Sequence, residues 1–252
     1  MLNIFTSFVS TIFEALGTFI EALTAPLFLT NELTFFTHSV LIGVFAILAV
    51  RLGRGALTSF TALCWVLGNL FVIKEATIFG LDVITADSFA IGSNIGITLI
   101  QYYYGEKAAK NSIIVGIYSA CFFLVMAKVH LIYIPNMYDT THPFFYAILS
   151  RMTRIVIGSF SVAFISMNLN LYLFKKISAR LGEGFFGISS FLSLTVSQFI
   201  DTTLFTFCAL YGDVHSALQI IVFSSLVKCA AIAITVPAVS LCKTFISKPA
   251  DL

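Results

Sequence analysis

Residues 188–211 read ISSFLSLTVSQFIDTTLFTFCALY, twenty-four positions with a single charge, Asp201. At about 1.5 Å per residue, a helix of this length clears the roughly 30 Å hydrocarbon core of a bilayer. A lone carboxylate at mid-membrane costs on the order of 3 kcal/mol unless it faces protein or a hydrated cavity. The segment therefore reads as a transmembrane helix with an inward polar face. The rest of the chain agrees. Of its 252 residues 59% are apolar and 10% charged, with a mean hydropathy of +1.00, where soluble domains carry about 25% charged residues. A water-soluble fold is excluded. Six further apolar runs lie at about 35–50, 56–73, 84–104, 112–134, 147–173 and 215–241. The predicted fold is all-α, a polytopic bundle of about seven spans.

Residues 1–34 are expected to form an N-terminal amphipathic interfacial helix, because Ile4, Phe5, Phe8, Ile12, Phe13, Leu16, Phe19, Ile20 and Leu23 recur at helical spacing. An eighth span is the alternative, since Glu14 and Glu21 share one face and could point into a bundle. Residues 35–242 are expected to form the transmembrane domain and 243–252 a cytoplasmic tail. Orientation follows from loop cations, which concentrate on the cytoplasmic side. Arg51, Arg54, Lys107, Lys110, Lys175, Lys176, Arg180, Lys243 and Lys248 fall on one side and only Lys74 on the other. With seven spans this puts the N-terminus outside and the C-terminus in the cytoplasm. Glu75, Asp82, Asp87, Asp139 and Asp213 are then outer-loop acids.

Net charge is +2, so nothing points to a nucleic-acid partner. Cys64, Cys121, Cys208, Cys229 and Cys242 are odd in number, lack a C-x-x-C pair and read as buried reduced thiols. His38, His130, His142 and His215 lack ligand spacing. Neither a metal nor a cofactor is expected. Without a G-x-x-x-x-G-K-[ST] loop, the chain cannot hydrolyse nucleotides by that route, and any energy has to come from a gradient or a partner.

Setting the loop cations aside leaves Lys128, Arg151, Arg154 and Lys228 within the spans, against one acid, Asp201. Gln198 shares a helix face with Asp201, and the pair supplies amide donors and a carboxylate acceptor for a solute with N–H and C=O groups. Asp201 could equally be a structural partner of Lys228 or Arg154. Asn69 and Asn94 are the strongest neutral candidates, each either bonding a neighbouring helix or touching solute. Ser88, Gly92 and Gly96, and again Ser189, Ser193 and Ser197, form small-residue stripes suited to close helix packing.

Five blocks in register carry a resemblance: Leu67-Gly68-Asn69-Leu70 with Lys74; Tyr104-Gly105-Glu106-Lys107-Ala108-Ala109-Lys110; Arg154 with Ser159-Phe160; Gln198-Phe199-Ile200-Asp201-Thr202; and Lys228 with Pro237. Over about residues 62 to 242 the chain resembles the queuosine precursor transporters, the YhhQ or VUT family. The resemblance implies a multi-pass importer in the bacterial inner membrane. Its solute would be a 7-deazaguanine base (7-cyano-7-deazaguanine, its aminomethyl relative or queuine) used in transfer RNA modification. It also implies Asn69, Arg154, Gln198, Asp201 and Lys228 as the matching polar positions. Where many members carry an acidic and another charged residue in the third span, this chain has Thr98 and Tyr102, with Asn94 and Gln101 nearby.

The expected mechanism is a secondary or facilitative carrier. Asp201 and Gln198 would bond the guanine-like edge, Asn69 and Asn94 would complete the donor and acceptor set, and Phe205 or Tyr118 would stack on the ring. Arg154 and Lys228 would keep Asp201 ionised or line the path. The expected partners are the solute, the bilayer and a possible second copy of the chain. A membrane-embedded binding subunit serving a separate ATPase is the alternative. An enzyme is disfavoured for want of a nucleophile with a base, and a channel for want of a carboxylate ring.

Overall fold

A computed structural model describes residues 30–78, 81–150, 152–210 and 217–243. The expected interfacial helix, up to residue 29, and the tail beyond Lys243 lie outside the described residues. Eight helices and one hairpin follow in order: α1 (Asn31–Arg51), α2 (Arg54–Phe71), β1 (Glu75–Ile78), β2 (Leu81–Ile84), α3 (Asp87–Tyr104), α4 (Glu106–His130), α5 (His142–Leu149), α6 (Met152–Leu181), α7 (Phe186–Phe205) and α8 (Ala217–Lys243). Apart from the eight-residue α5, each helix is 18 residues or longer.

The long helices start and stop where the sequence demands. Thr30 caps α1 by accepting the Leu33 amide at 3.2 Å, an N-terminal donor that would otherwise lack a partner. Gly105 (φ 85°) ends α3 and Gly182 (φ 91°) ends α6, in a left-handed conformation that L side chains adopt only at a cost. These short turns make neighbouring helices antiparallel. They also gather the basic residues at one end of the bundle. Thr58 of α2 lies 3.0 Å from Ser112 of α4, and Lys175 near the end of α6 reaches Glu106 at the start of α4 at 2.7 Å. Glu106 also holds Lys110 at 2.7 Å. The hairpin, β1 paired antiparallel with β2, lies at the opposite end. It is an addition to the expected all-helical fold: the segment 74–83, read from sequence as loop, carries strands at Glu75–Ile78 and Leu81–Ile84, the second running into the start of the expected third span.

Side-chain exposure shows what surrounds the bundle. Phe45, Leu63, Phe122, Ile157, Phe164, Phe199 and Leu226 are all at least half exposed and project from helices on every side. Apolar surface spread over all the long helices but α3 is stable in lipid and not in water. Among the described residues, four segments are long and apolar enough to cross a membrane by themselves: Asn31–Arg51, Glu106–His130, Val156–Leu181 and Phe186–Cys208.

α3 fails that measure for an instructive reason. It packs against α1, α2, α4, α6, α7 and α8, and Asp87, Ser88, Ser93, Asn94 and Thr98 are all buried on it. A helix surrounded by protein has no lipid to satisfy, so it can be the most polar of the set. Gly96 lets it approach Thr61 of α2, and a Cβ at Gly92 would meet Ile42 of α1 at 2.8 Å. The small-residue stripe expected at Ser88, Gly92 and Gly96 is thus a packing face.

Candidate functional site

Five helices diverge around a cavity of about 110 Å³ in the half of the bundle nearer the hairpin. One water needs about 10–15 Å³, so this space holds several waters or a small solute. Each helix contributes through consecutive turns on one face: Trp65 and Asn69 from α2, Asp87, Ala90 and Asn94 from α3, Ser159, Ala163 and Ser166 from α6, Asp201 and Phe205 from α7, Ser224 and Lys228 from α8. α7 passes into a π-helical turn at Thr206–Leu210 as it leaves the cavity. Such widened turns loosen the helix and re-aim side chains, and they are frequent at functional sites. Here Thr206 lines the cavity at the start of that turn.

Lys228 is the electrostatic centre. Its buried ammonium lies 3.3 Å from Asp201 Oδ2 and 3.5 Å from Asp87 Oδ1. The other oxygen of each carboxylate is held by a serine hydroxyl: Ser166 donates to Asp201 Oδ1 at 2.8 Å and Ser224 to Asp87 Oδ2 at 2.9 Å. One cation thus joins α3, α7 and α8, and Ser166 adds α6. Buried ions persist only when paired and hydrogen-bonded in this way. Both ion pairs are longer than the 2.7–2.9 Å or so of a tight charge-assisted bond. Asp201 is the more open of the two acids, its side chain 18% exposed against 9% for Asp87.

Asn69 and Asn94 line the cavity from the adjacent helices α2 and α3. Asn69 donates to Trp65 O at 3.0 Å and accepts from Ser159 at 2.8 Å, so its amide ties α2 to α6 while facing the cavity. Asn94 donates to Ala90 O at 3.0 Å, and its Oδ1 has no hydrogen-bond partner among the described residues. That oxygen is buried, an acceptor left without a partner beside the cavity.

The sequence candidates divide. Asn69, Asn94, Asp201, Lys228 and Phe205 converge on the cavity. Gln198 does not line it. It is 1% exposed, one turn deeper in the bundle, and neither amide atom has a partner among the described residues. The side chain of Arg154 lies outside the described residues. Tyr118 is 69% exposed on α4 and cannot stack on anything in the cavity, which corrects that expectation. Cys208 is likewise exposed rather than buried, while Cys64 is buried, Cys121 and Cys229 are half-buried, and all four are free. Lys128 donates to Ser150 O at 3.1 Å, away from the cavity.

The largest correction is Asp87. Read as an outer-loop acid, it is 7% exposed and paired with Lys228. Two signals pointed to it. Four intramembrane cations faced one acid, and Asp87 sits seven residues before Asn94, on the same helix face. Ser166 and Ser159 were also missed as lining groups.

A roomier hollow of about 240 Å³ lies between the end of α4 and the 131–141 loop, lined by His130, Asn136, Asp139 and His142 among others. Most of its lining residues are exposed, and Asp139 there serves the start of α5. Among the described residues, no group of three or more His, Cys, Asp or Glu could hold a metal ion.

Comparison with known proteins bears on the same helices. No curated protein and no solved structure matches the chain. A family model described as "Putative vitamin uptake transporter" matches residues 92–242, from the middle of α3 to the end of α8 and well over half the chain. The match takes in Asn94, Ser166, Gln198, Asp201 and Lys228, and it leaves Asn69 and Asp87 outside. With this extent of match and a lipid-facing bundle around a charged cavity, the chain belongs to the putative vitamin uptake transporter family.

Proposed function

We propose that the chain imports a queuosine precursor, a 7-deazaguanine base such as 7-cyano-7-deazaguanine, its aminomethyl relative or queuine, across a bacterial inner membrane for transfer RNA modification. In this reading all seven long helices cross the bilayer, the basic end faces the cytoplasm, and the cavity is the solute site near the outer face.

The observation that carries the proposal is the concentration of hydrogen-bond acceptors at one cavity: the Asp201 and Asp87 carboxylates, with the unpaired Asn94 Oδ1 buried just behind its wall. A guanine-type edge presents N–H donors side by side and pairs with a carboxylate through two hydrogen bonds. Asp201, the more open acid, takes that edge, and Asn94 accepts from another ring N–H. Asn69 positions the α2 wall, and Phe205 covers a face of the ring. Lys228 keeps two acids side by side in a membrane interior. Gln198 acts from the layer beneath, and Arg154 completes the set of polar positions the family resemblance implies.

Asp201→Ala is expected to abolish uptake of labelled 7-cyano-7-deazaguanine by cells unable to make it, with the protein still in the membrane fraction. Uptake at the wild-type rate would remove the proposal. Reconstituting the purified chain in liposomes separates a self-sufficient carrier from a binding subunit that needs an ATPase, because only the carrier moves solute alone.

A further inference from the structure

Immediately beneath the cavity, toward the basic end, a second set of polar groups is buried with its hydrogen bonding incomplete. One turn inward from Asn94 on α3 is Thr98; one turn inward from Ser166 on α6 is Asn170; one turn inward from Asp201 on α7 is Gln198. Asn170 is 0%, Thr98 1% and Gln198 1% exposed. The layer is joined across helices, with Asn170 Nδ2 donating to Thr98 Oγ1 at 2.9 Å. A turn further, Gln101 Nε2 donates to Leu171 O at 3.0 Å. In each of these amides the nitrogen is anchored and the carbonyl oxygen is left over. Asn170 Oδ1 and Gln101 Oε1 have no partner among the described residues, and neither do both amide atoms of Gln198 and the Ser190 hydroxyl.

Unpaired buried acceptors lose hydration and gain nothing in return. Several of them on three contacting helices are hard to explain by packing, since leucine would fill the same space without that cost. They make sense if another conformation pairs them.

The layer's lower boundary supports this. Tyr102 of α3 and Phe174 of α6 lie one turn inward from Thr98 and Asn170, and Phe186 at the start of α7 meets both, with ring centroids at 5.0 and 5.8 Å. Three rings from three helices close the seam on which the unpaired groups lie. Ile95, Thr98, Phe186 and Ser190 meet Val236 and Val239 of α8 there around a gap too narrow to admit water, so the seam is closed in this conformation.

We infer that Thr98, Gln101, Asn170 and Gln198 form a second solute station, the cytoplasmic half of the transport path, which opens when Tyr102, Phe174 and Phe186 part. Its chemistry is acceptor-rich, so it passes solutes that carry several N–H donors and resists anions. The inference rests on the transport reading above but not on the solute named there.

Two measurements test it. In a background with the native cysteines replaced and uptake retained, Thr98→Cys and Ser190→Cys are treated with a membrane-impermeant thiol reagent on inside-out and right-side-out vesicles. Reaction from the basic-end side alone is expected, with loss of uptake. No reaction at either position in vesicles that still transport overturns the station. Gln198→Leu is the second test. It should lower 7-cyano-7-deazaguanine uptake roughly tenfold or more while leaving the melting temperature unchanged or higher. Uptake within about twofold of wild type would overturn the role of Gln198 even if the cysteines react. Labelling needs no knowledge of the solute. A wrong solute with a correct path therefore gives labelled Ser190→Cys together with a wild-type protein that takes up no 7-cyano-7-deazaguanine.

Discussion

The two halves of the bundle solve the problem of polarity in oil differently. Toward the hairpin, the groups are charged and their hydrogen bonding is nearly complete: Lys228 with Asp87 and Asp201, Ser166 and Ser224 on the remaining carboxylate oxygens, Asn69 with Ser159. Toward the basic end, the groups are neutral amides and hydroxyls with oxygens unpaired, closed off by aromatic rings. The difference follows from cost. An unpaired buried ion is prohibitive, so a charged site must be wired together in whatever conformation it occupies. An unpaired amide oxygen costs roughly 1–3 kcal/mol. A protein can carry several of these in one state and recover the loss in another. A mobile seam built from amides and a fixed node built from ions are the arrangement this asymmetry favours.

Removing the cation tests the node most severely. Lys228→Met leaves two carboxylates facing each other without compensation, and breaking a buried ion pair from one side costs about 3–5 kcal/mol. A large fall in melting temperature and loss of uptake are expected. Adding Asp87→Asn to Lys228→Met removes one of the stranded charges, so it should recover part of the melting temperature while uptake stays absent. A Lys228→Met protein as stable as wild type would show that the node is not electrostatically coupled.

A smaller effect distinguishes the two acids. Asp87→Asn keeps the shape and the Ser224 contact but halves the acidic charge beside Lys228, and uptake should drop severalfold or more. Glu75→Gln, an exposed acid on the hairpin, should leave uptake at wild type. Equal uptake in both variants would return Asp87 to the loop role that its position suggests.

That misreading shows what a sequence discloses in a protein of this kind. The lipid-facing helices were plain from composition, because a bilayer sets both length and apolarity, and α1, α4, α6 and α7 meet the requirement alone. α3 was read as one more apolar run at 84–104, and its polar face was underrated, since burial in protein releases it from the lipid constraint. Asp201 and Lys228 were found because a charge in the middle of a span is conspicuous. Asp87, three residues from a predicted boundary, was not, because depth along the membrane normal is the coordinate that hydropathy locates least well. Tyr118 failed for another reason: one-dimensional patterning gives the face of a helix only when that face is continuous, and α4 is apolar all round. The hairpin at Glu75–Ile84 was missed because its strands are only four residues long.

The gentlest test concerns a third kind of polar group, one that belongs to neither half. Asp139 precedes α5, and its Oδ1 accepts from the Thr141 hydroxyl at 2.8 Å and from the Thr141 and His142 amides at 2.8 and 3.0 Å. The Thr141 hydroxyl, and then the two amides, hold its carboxyl below the ordinary aspartate range. A group whose pKa falls on folding stabilises the fold above its unfolded value, near 4, and that contribution disappears as pH drops through the lower folded value. Protection of the Thr141 and His142 amides from hydrogen exchange, corrected for intrinsic rates, should therefore be steady at neutral pH and decline in acid below about 4. Asp139→Asn should show weaker protection that no longer varies over that range. Because this acid is solvent-exposed and distant from Lys228, uptake at neutral pH should match wild type. If Asp139→Asn impaired transport as Asp87→Asn is expected to, the contrast between a wired interior node and a merely local surface cap would fail.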